Sequence, residues 1–322
     1  MNPERMLEMC RKGQWNVDVD LDWSVPPRPM SREEEMAIVQ YFTDMAGIEL
    51  LAGALFEEQR KRVEDPTMKK IFATFVADEK RHSEVALRLA DYYNVHKYKE
   101  YEMSPALAKF APNFVDAVKY LSAEIANVYI TGGELILDVA LLRSINDYVH
   151  DTMSARAMEL VNRDESRHIA VDYHMTEYYA SPAYQEWLAT QPPQPLGERL
   201  RAIWAFINVL YYAKPFFEDV FFTPMRTVDP SGRRLREAFK RFQLLGTKPD
   251  VAKRPFTKFM NAVREIAVHP VAGPIFGGVM SRIAGVPPEL MQQMYSDEEA
   301  ARAQRMSFDE LAEEALAAKA LS

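Results

Sequence analysis

Two short segments of this chain carry the same set of metal-ligating side chains at the same spacing. Residues 78–82 read DEKRH and residues 164–168 read DESRH. Residues three apart in an α-helix lie ~60° apart around the axis and ~4.5 Å apart along it, so a carboxylate and an imidazole at that offset can ligate one metal ion or two neighbouring ions. The two Glu-x-x-His pairs are Glu79 with His82 and Glu165 with His168.

Capping signals and hydrophobic periodicity predict four long helices that would position these segments. Ser31 with Glu34 forms a capping box, and Asp65 before Pro66 gives an N-cap followed by proline at the first helical position. Long helices with short connections are typical of an antiparallel bundle, and we find no convincing strand pattern. We expect the four helices at about 31–62, 66–93, 113–146 and 151–180, a short helix from Ser104-Pro105 that Pro112 interrupts, and shorter helices near 198–222, 233–245, 251–268 and 288–318.

The other two long helices should each contribute an acid at the same depth in the bundle. Glu49 lies 16 residues before the turn near Asp65, and the first Glu-x-x-His pair begins 14 residues after that turn. Glu134 lies 16 residues before the turn near His150, and the second pair begins 15 residues after it. Glu57 lies only eight residues before the turn near Asp65. It would therefore lie six residues, or ~9 Å along the helix, away from the depth of Glu79. This matching selects Glu49 and Glu134 as ligands.

Four carboxylates and two imidazoles at one level would repel one another strongly in the absence of metal. Two divalent ions would balance the four negative charges. Mixed oxygen and imidazole ligands with open positions favour iron over manganese, with zinc less suited to this number of ligands. The predicted cofactor is therefore a pair of iron ions, Fe/Fe in preference to Mn/Fe.

On these six residues the chain resembles the ferritin-like di-iron carboxylate superfamily, over about residues 31–180. The resemblance rests on Glu49, Glu79-x-x-His82, Glu134 and Glu165-x-x-His168. It implies an all-α, ferritin-like antiparallel four-helix bundle, preceded by an irregular N-terminal arm (1–30) and followed by a C-terminal helical extension (181–322) packed on the bundle.

The resemblance also implies an O2-activating di-iron oxidoreductase, an oxygenase, oxidase or desaturase, with O2 as co-substrate. Its substrate would be a mostly apolar or acyl-type organic molecule, and its electrons would come from an external ferredoxin or reductase. Glu49 and Glu134 would take part in catalysis by shifting their coordination. Two alternatives remain open: a non-enzymatic iron-binding or ferroxidase-type protein, and the radical-generating subunit of a ribonucleotide reductase-like complex.

Individual positions distinguish the relatives within that superfamily. Ala86 stands where the ribonucleotide reductase subunit usually carries its radical tyrosine, which argues against that role. Tyr129, a candidate catalytic residue, matches a tyrosine of the ligand-binding oxidases. Because Ala52 replaces the valine to which theirs is cross-linked, an ordinary core tyrosine is the favoured interpretation. Val161 replaces a histidine of the aryl-amine N-oxygenases. The E-x-R-H runs are similar to those of the soluble acyl-carrier-protein desaturases, but the threonine that those enzymes carry near the glutamate of the third bundle helix is missing, since Leu137 and Asp138 follow Glu134.

Three aspartates near the predicted ligands each have two possible interpretations. Asp78 and Asp164 either form surface ion pairs with Arg81 and Arg167 one turn away, or orient the ligating histidines across the bundle, which we favour. Asp138, one turn after Glu134, is a candidate proton relay or an outward-facing acid.

Glycines near the ligands also have two interpretations. Gly132 and Gly133 precede Glu134 in an apolar helix, and Gly47 and Gly53 flank Glu49. They either leave room for oxygen or substrate, which we favour, or allow close helix packing. Glycine in a helix can also permit a local π-bulge.

Composition restricts the compartment and the partners. A net charge of −8 argues against nucleic-acid binding, and the single Cys10 is compatible with a reducing compartment. No apolar signal segment opens the sequence, and the most apolar run, 202–213, is too short to span a bilayer, so we expect a cytoplasmic protein without a transmembrane segment.

Two C-terminal segments bear on partners. Residues 226–264 hold 11 Lys/Arg against three acids, a net +8 that would dock an acidic ferredoxin, an acyl carrier protein or anionic lipid headgroups, or form a solvated face. The aromatic run 203–222 would wall a substrate tunnel, form a homodimer interface or lie against a membrane. Core packing or dimerisation is the simpler interpretation, and we expect a homodimer.

Overall fold

The computed structural model of this protein describes residues 1–320. The chain is 79% helical, and no β-strand occurs among the described residues, so the predicted all-α class is confirmed. The helices of the first part are α1 (Pro3–Lys12), α2 (Arg32–Arg62), α3 (Pro66–Tyr93), α4 (Pro105–Tyr120), α5 (Ala123–Glu134), α6 (Arg143–Val149) and α7 (Thr152–Ala180). Those of the second part are α8 (Pro182–Thr190), α9 (Leu196–Phe217), α10 (Thr223–Val228), α11 (Arg233–Leu245), α12 (Pro249–Ala252), α13 (Pro255–Val268), α14 (Ala272–Ala284), α15 (Asp297–Arg305) and α16 (Phe308–Ala317).

The long helices begin where capping side chains predict. At the start of α2 the Ser31 side chain accepts a hydrogen bond from the Glu34 backbone N–H, and the Glu34 carboxylate accepts one from the Ser31 N–H. Asp65 caps α3 by accepting from Met68 N–H. These caps satisfy otherwise unpaired N–H groups at the helix starts. Helix α2 begins directly after Ser31 and α3 directly after Asp65, so both predicted starts are confirmed.

The predicted irregular arm at residues 1–30 is wrong in its first part, because α1 forms there. The Asn2 side chain caps α1 by accepting from Arg5 N–H, and Pro3 takes the first helical position. Met6 and Cys10, four residues apart, are buried on one side of this helix against α3. The apolar pattern was too short to stand out from a Pro- and Asp-rich segment.

The predicted helix break at Pro112 is also wrong. Helix α4 continues through Pro112 as far as Tyr120, since proline removes only one backbone hydrogen bond. The chain instead breaks at Leu121, which is extended, and restarts where the Ser122 side chain accepts from Ile125 N–H. The helix that carries Glu134 therefore begins about ten residues later than expected.

A continuous helical stretch, Ala123–Val149, combines α5, a π-helical segment (Leu135–Leu142) and α6. By length and composition it is apolar enough to cross a membrane, but 72% of its most apolar window is buried inside the protein. The π-helical segment starts directly after Glu134, next to the glycine pair. A π-helical turn widens the helix locally and often occurs at functional sites.

The helices pack around one buried core in which the acidic and histidine residues lie. Helix α2 packs along α3, while α5 and the following π-helical segment pack on α7. The C-terminal helices cover this core, because α9 packs on α4, α11 on the π-helical segment and α16 on α7. Helix α14, which the sequence pattern did not indicate, forms a hairpin with α13.

Candidate metal centre

Two groups of buried acids and histidines lie at the centre of these helices. In each group, one donor atom from every member lies within 4.8 Å of the donor atoms of the others. Glu79 and Glu165 belong to both groups, so the two groups are adjacent and share two carboxylates. This is the arrangement needed to hold two neighbouring ions. The first group is Glu49, Glu79, His82 and Glu165, and the second is Glu79, Glu134, Glu165 and His168.

Both histidines direct the same ring nitrogen at the shared carboxylates. The Nδ1 atom of His82 lies 3.0 Å from Oε1 of Glu165 and 3.6 Å from Oε2 of Glu79. The Nδ1 atom of His168 lies 3.0 Å from Oε1 of Glu79 and 3.0 Å from Oε2 of Glu165. Each Nδ1 atom is therefore placed to ligate an ion, while each Nε2 atom points away.

The outward nitrogens face aspartates on the opposite helix. Nε2 of His82 on α3 lies 3.1 Å from Oδ2 of Asp164 on α7. Nε2 of His168 on α7 lies 3.6 Å from Oδ2 of Asp78 on α3. A carboxylate partner on the outer nitrogen fixes the orientation of a ligating imidazole. The aspartates therefore occupy the orienting positions considered for them.

Two arginines, Arg81 and Arg167, pair with these aspartates. Some pairs lie one turn apart on the same helix, and others join the two helices. Within one turn, Arg167 donates to Oδ1 of Asp164 at 2.6 Å, and Arg81 donates to Asp78. Across the helices, Arg81 donates to Oδ2 of Asp164 at 3.0 Å. Both aspartates are fully buried, so these are internal ion pairs and not surface ones. The network holds the pKa values of both aspartates low: burial raises them, but hydrogen bonds from the histidines and the arginine charges outweigh it.

The N-terminal segment adds two contacts that no sequence pattern indicates. The indole N–H of Trp15 donates to Oδ2 of Asp164 at 2.7 Å, and the ring stacks on His82 at 6.5 Å between centroids. The Gln14 amide donates to Oδ1 of Asp78 at 3.0 Å. These residues follow α1 without any periodic pattern, so only the tertiary structure reveals them.

We expect Trp15→Phe to weaken metal binding ~10- to 100-fold, the range typical of lost partners behind metal ligands. Phenylalanine keeps a ring against His82 but removes the hydrogen bond to Asp164. Competitive chelator titration would measure the affinity. Trp23→Phe is the matched control, because the Trp23 indole donates to the Val17 carbonyl and not to Asp164. Equal affinities in both variants would contradict a role for the Trp15 hydrogen bond.

Several carboxylate oxygens of the two groups have no hydrogen-bond partner among residues 1–320. Within residues 1–320, neither side-chain oxygen of Glu49 or of Glu79 has a hydrogen-bond partner. Burial, followed by the neighbouring carboxylates, raises the pKa values of Glu49 and Glu134 well above their ordinary range. Buried carboxylate oxygens without donors are costly unless protons or cations compensate them. The side chains present therefore suit a pair of divalent ions.

Asp138 and Tyr129 lie outside both ligand groups. Asp138 is fully buried in the π-helical segment and pairs with Lys319, so it is not an outward-facing acid. Burial raises the pKa of Asp138 to about 6, although the Lys319 charge opposes the increase. Tyr129 lies between the rings of Phe114 and Phe256, at 5.6 and 5.3 Å between centroids.

A further buried acid, Asp172, was missed in the sequence. It lies one turn after His168 and two turns after Glu165, on the same side of α7, and this spacing would have identified it. Neither of its side-chain oxygens has a hydrogen-bond partner within the described residues. Burial raises its pKa well above the ordinary aspartate range, opposed by the nearby His168. The amide of Asn127 donates to its backbone carbonyl at 3.1 Å.

An apolar cavity of about 160 Å³ reaches Glu134, a member of the second group. Gly132 and Gly133 line it, and a Cβ atom on Gly133 would meet nothing within 4 Å. A second cavity of about 180 Å³ shares several of its lining residues, including Phe242 and Phe256. Open space, the interpretation favoured for the glycine pair, is therefore present at Gly133. A Cβ atom on Gly132 would lie 3.3 Å from Cε2 of Phe242, so Gly132 allows close packing instead.

The glycines on α2 serve close packing, so the expectation of open space there is wrong. A Cβ atom on Gly53 would lie 3.2 Å from the Glu79 Cβ atom. One on Gly47 would collide with the sulfur of Met103. The glycine at 53 thus lets α2 approach α3 at the level of the shared ligand Glu79.

The basic segment 226–264 is less free to bind partners than its composition indicates. Several of its cations are paired within the chain: Arg226 with Glu218, Arg234 with Asp147, Lys240 with Glu299, Arg241 with Glu237 and Glu314, Lys253 with Asp250, and Arg254 with Glu124. Two of these pairs, Arg234 with Asp147 on α6 and Arg254 with Glu124 on α5, tie the C-terminal helices to the core. Docking of an acidic carrier protein at this segment stays a prediction. The positive charge free to attract such a partner is smaller than the net +8 of the segment, because these ion pairs neutralise part of it.

No model of a protein family matches this sequence, and a search of curated proteins finds no match. Functional inference for this chain therefore depends on its own residues and their geometry. The two overlapping ligand groups and the cavity beside Glu134 are the strongest evidence available.

Proposed function

We propose that α2, α3, the Ala123–Val149 helix and α7 form a ferritin-like four-helix bundle that holds two iron ions. We further propose that the protein is an O2-activating non-haem di-iron oxidoreductase that acts on a mostly apolar organic substrate. One observation carries this proposal, the position of an apolar cavity beside the two buried groups of acids and histidines. Two buried ligand groups share Glu79 and Glu165, and an apolar cavity reaches one of their ligands, Glu134.

The residues of the chain divide the work of binding. Glu49, Glu79, His82 and Glu165 would hold one ion, and Glu79, Glu134, Glu165 and His168 would hold the other. Bound iron would supply the redox chemistry by which O2 is reduced and the substrate oxidised. Asp164 and Asp78 would keep the histidine rings oriented, which preserves the positions of both Nδ1 atoms.

The cavity supports oxidation of an organic molecule over iron storage. Its walls are almost entirely aliphatic and aromatic, with Glu134 as the charged residue on its lining. Such a surface excludes water and binds apolar molecules. A protein that only binds iron gains nothing from a dry, apolar space beside one ligand.

The test is reconstitution of the metal-free protein with ferrous iron in the absence of oxygen. We expect two iron ions per chain by elemental analysis, and rapid O2 consumption on exposure to air with a chemical reductant present. Failure to retain iron or manganese would overturn the proposal. Retention of two ions, with O2 consumption but no oxidised product from a panel of apolar compounds, would favour the ferroxidase alternative.

A further inference from the structure

Helix α9 carries a stripe of apolar side chains that faces solvent. Its exposed apolar residues recur at intervals of three and four, which places them on one side of the helix. The opposite side is also apolar and is buried, with Ala205, Val209 and Ala213 inside the protein. A helix with apolar residues on two opposite sides buries one side in the protein and leaves the other to be covered by a second apolar surface. The exposed stripe is Leu196, Leu200, Ile203, Trp204, Ile207 and Tyr211.

The hairpin of α13 and α14 extends this surface. The guanidinium of Arg282 on α14 lies 5.4 Å from the ring centroid of Tyr211 on α9, and Phe259 on α13 lies 6.4 Å from Phe206 on α9. The three helices are therefore contiguous. Together with the α9 stripe, the exposed residues Phe259, Ile266, Val268, Val271, Ile275, Phe276 and Val279 form what we call the apolar face. A contiguous exposed apolar patch of this kind marks an interaction site.

The charge of the three helices is opposite to that of the chain. Helices α9, α13 and α14 hold six Lys/Arg against two Glu, a net +4, whereas the whole chain carries −8. Five of the six cations are exposed. A basic, apolar surface that includes tryptophan and tyrosine has the composition of a helix that lies in a membrane interface. The six cations are Arg199, Arg201, Lys214, Lys258, Arg264 and Arg282.

We propose that the apolar face binds the surface of an anionic phospholipid membrane, with the tip of the α13–α14 hairpin inserted among the lipids. A symmetric dimer through the same face would bring two positively charged surfaces together, which opposes association. An anionic bilayer offers the complementary charge and an apolar layer of sufficient depth.

The position of the cavity agrees with this orientation. Its wall includes Val209 and Ala213 of α9, Met260 of α13 and Ile283 of α14. The helices of the apolar face therefore separate the membrane from the space beside Glu134. An apolar molecule dissolved in the bilayer would reach the cavity between these helices without crossing water. Membrane binding itself does not require the proposed oxidation chemistry, so it is testable on its own.

The experiment measures binding of the full-length protein to phosphatidylcholine vesicles with and without phosphatidylglycerol. We expect co-sedimentation with the anionic vesicles, weakened by added salt, and a blue shift in tryptophan emission that Trp204→Phe removes. Phe276→Asp should weaken binding at least tenfold, because burying one Phe side chain contributes more than a factor of ~10 to an equilibrium constant. Leu87→Asp is the matched control, since Leu87 on α3 is 53% exposed and Phe276 is 51% exposed.

Analytical ultracentrifugation of the same proteins gives the outcome that would overturn the proposal. If the wild-type protein ignores anionic vesicles and forms a dimer that Phe276→Asp dissociates, the apolar face is an interface between two copies. Equal vesicle binding by the Phe276 and Leu87 variants would also reject it. A thermal melt of Phe276→Asp that matches the wild type would show that weaker binding does not arise from unfolding.

Discussion

Glu134→Ala should reduce the metal content from two ions per chain to about one and abolish O2 consumption by the iron-loaded protein. Glu134 belongs only to the second ligand group, so the first group keeps all four of its members. The remaining ion loses its neighbour, and reduction of O2 by a pair of irons requires both. Elemental analysis gives the metal content, and an oxygen electrode gives the rate.

Glu57→Ala is the control for this variant. Glu57 lies on α2, two turns beyond Glu49, and pairs with Arg60 on the surface. It should retain two ions and the full rate. Full activity in Glu134→Ala would show that another acid completes the second site, and Asp172 is the buried candidate. Glu134→Asp provides a further check, because a shortened carboxylate should restore part of the second ion.

The six proposed ligands were accessible to sequence reasoning because regular helices convert spacing into position. Glu79 and His82 lie one turn apart whatever surrounds them, and a matching depth selects Glu49 and Glu134 once the turns are placed. The predicted start of α5 was wrong by about ten residues, but this did not affect the choice of Glu134. The depth of Glu134 was counted from the turn that follows it, not from the start of its helix.

Contacts between distant segments could not be predicted in the same way. Trp15 reaches Asp164 across 149 positions, and Lys319 pairs with Asp138 from the C-terminal end of the described chain. No local pattern encodes such pairings, because they depend on where the terminal helices dock. The cavity is similar: its walls include residues of α2, α4, α5, the π-helical segment, α9, α11, α13 and α14, and only their packing shows that they leave space.

Metal loading should raise the free energy of unfolding, and the gain should increase with pH. A ligand at 1,000 times its dissociation constant contributes about 4 kcal/mol for each site, provided that it does not bind the unfolded chain. Burial raises the pKa values of Glu49 and Glu134, and carboxylate partners raise those of His82 and His168 despite burial. The metal-free folded protein therefore holds protons at this centre that the unfolded chain has released.

The sign of the pH dependence follows from that difference in bound protons. Where the folded state holds more protons than the unfolded state, stability falls as pH rises. For the metal-free protein this decline begins above the ordinary glutamate pKa of 4.5 and continues through the raised folded-state values. Glu165 and Asp164, whose pKa values are lowered, act in the opposite sense but only at more acid pH. Bound cations replace the protons, so the loaded protein should lack this decline.

Thermal unfolding of the metal-free and metal-loaded forms between about pH 5 and pH 8 would measure the effect. We expect the two midpoints to diverge as pH rises, and metal addition to release protons into a weakly buffered solution. Glu134→Gln should reduce the slope of the metal-free curve, because one of the raised carboxyl groups is then absent. If the unfolding midpoints of the two forms changed in parallel with pH, protons would not be neutralising the carboxylates of the metal-free centre. Their charges would then be compensated in some other way.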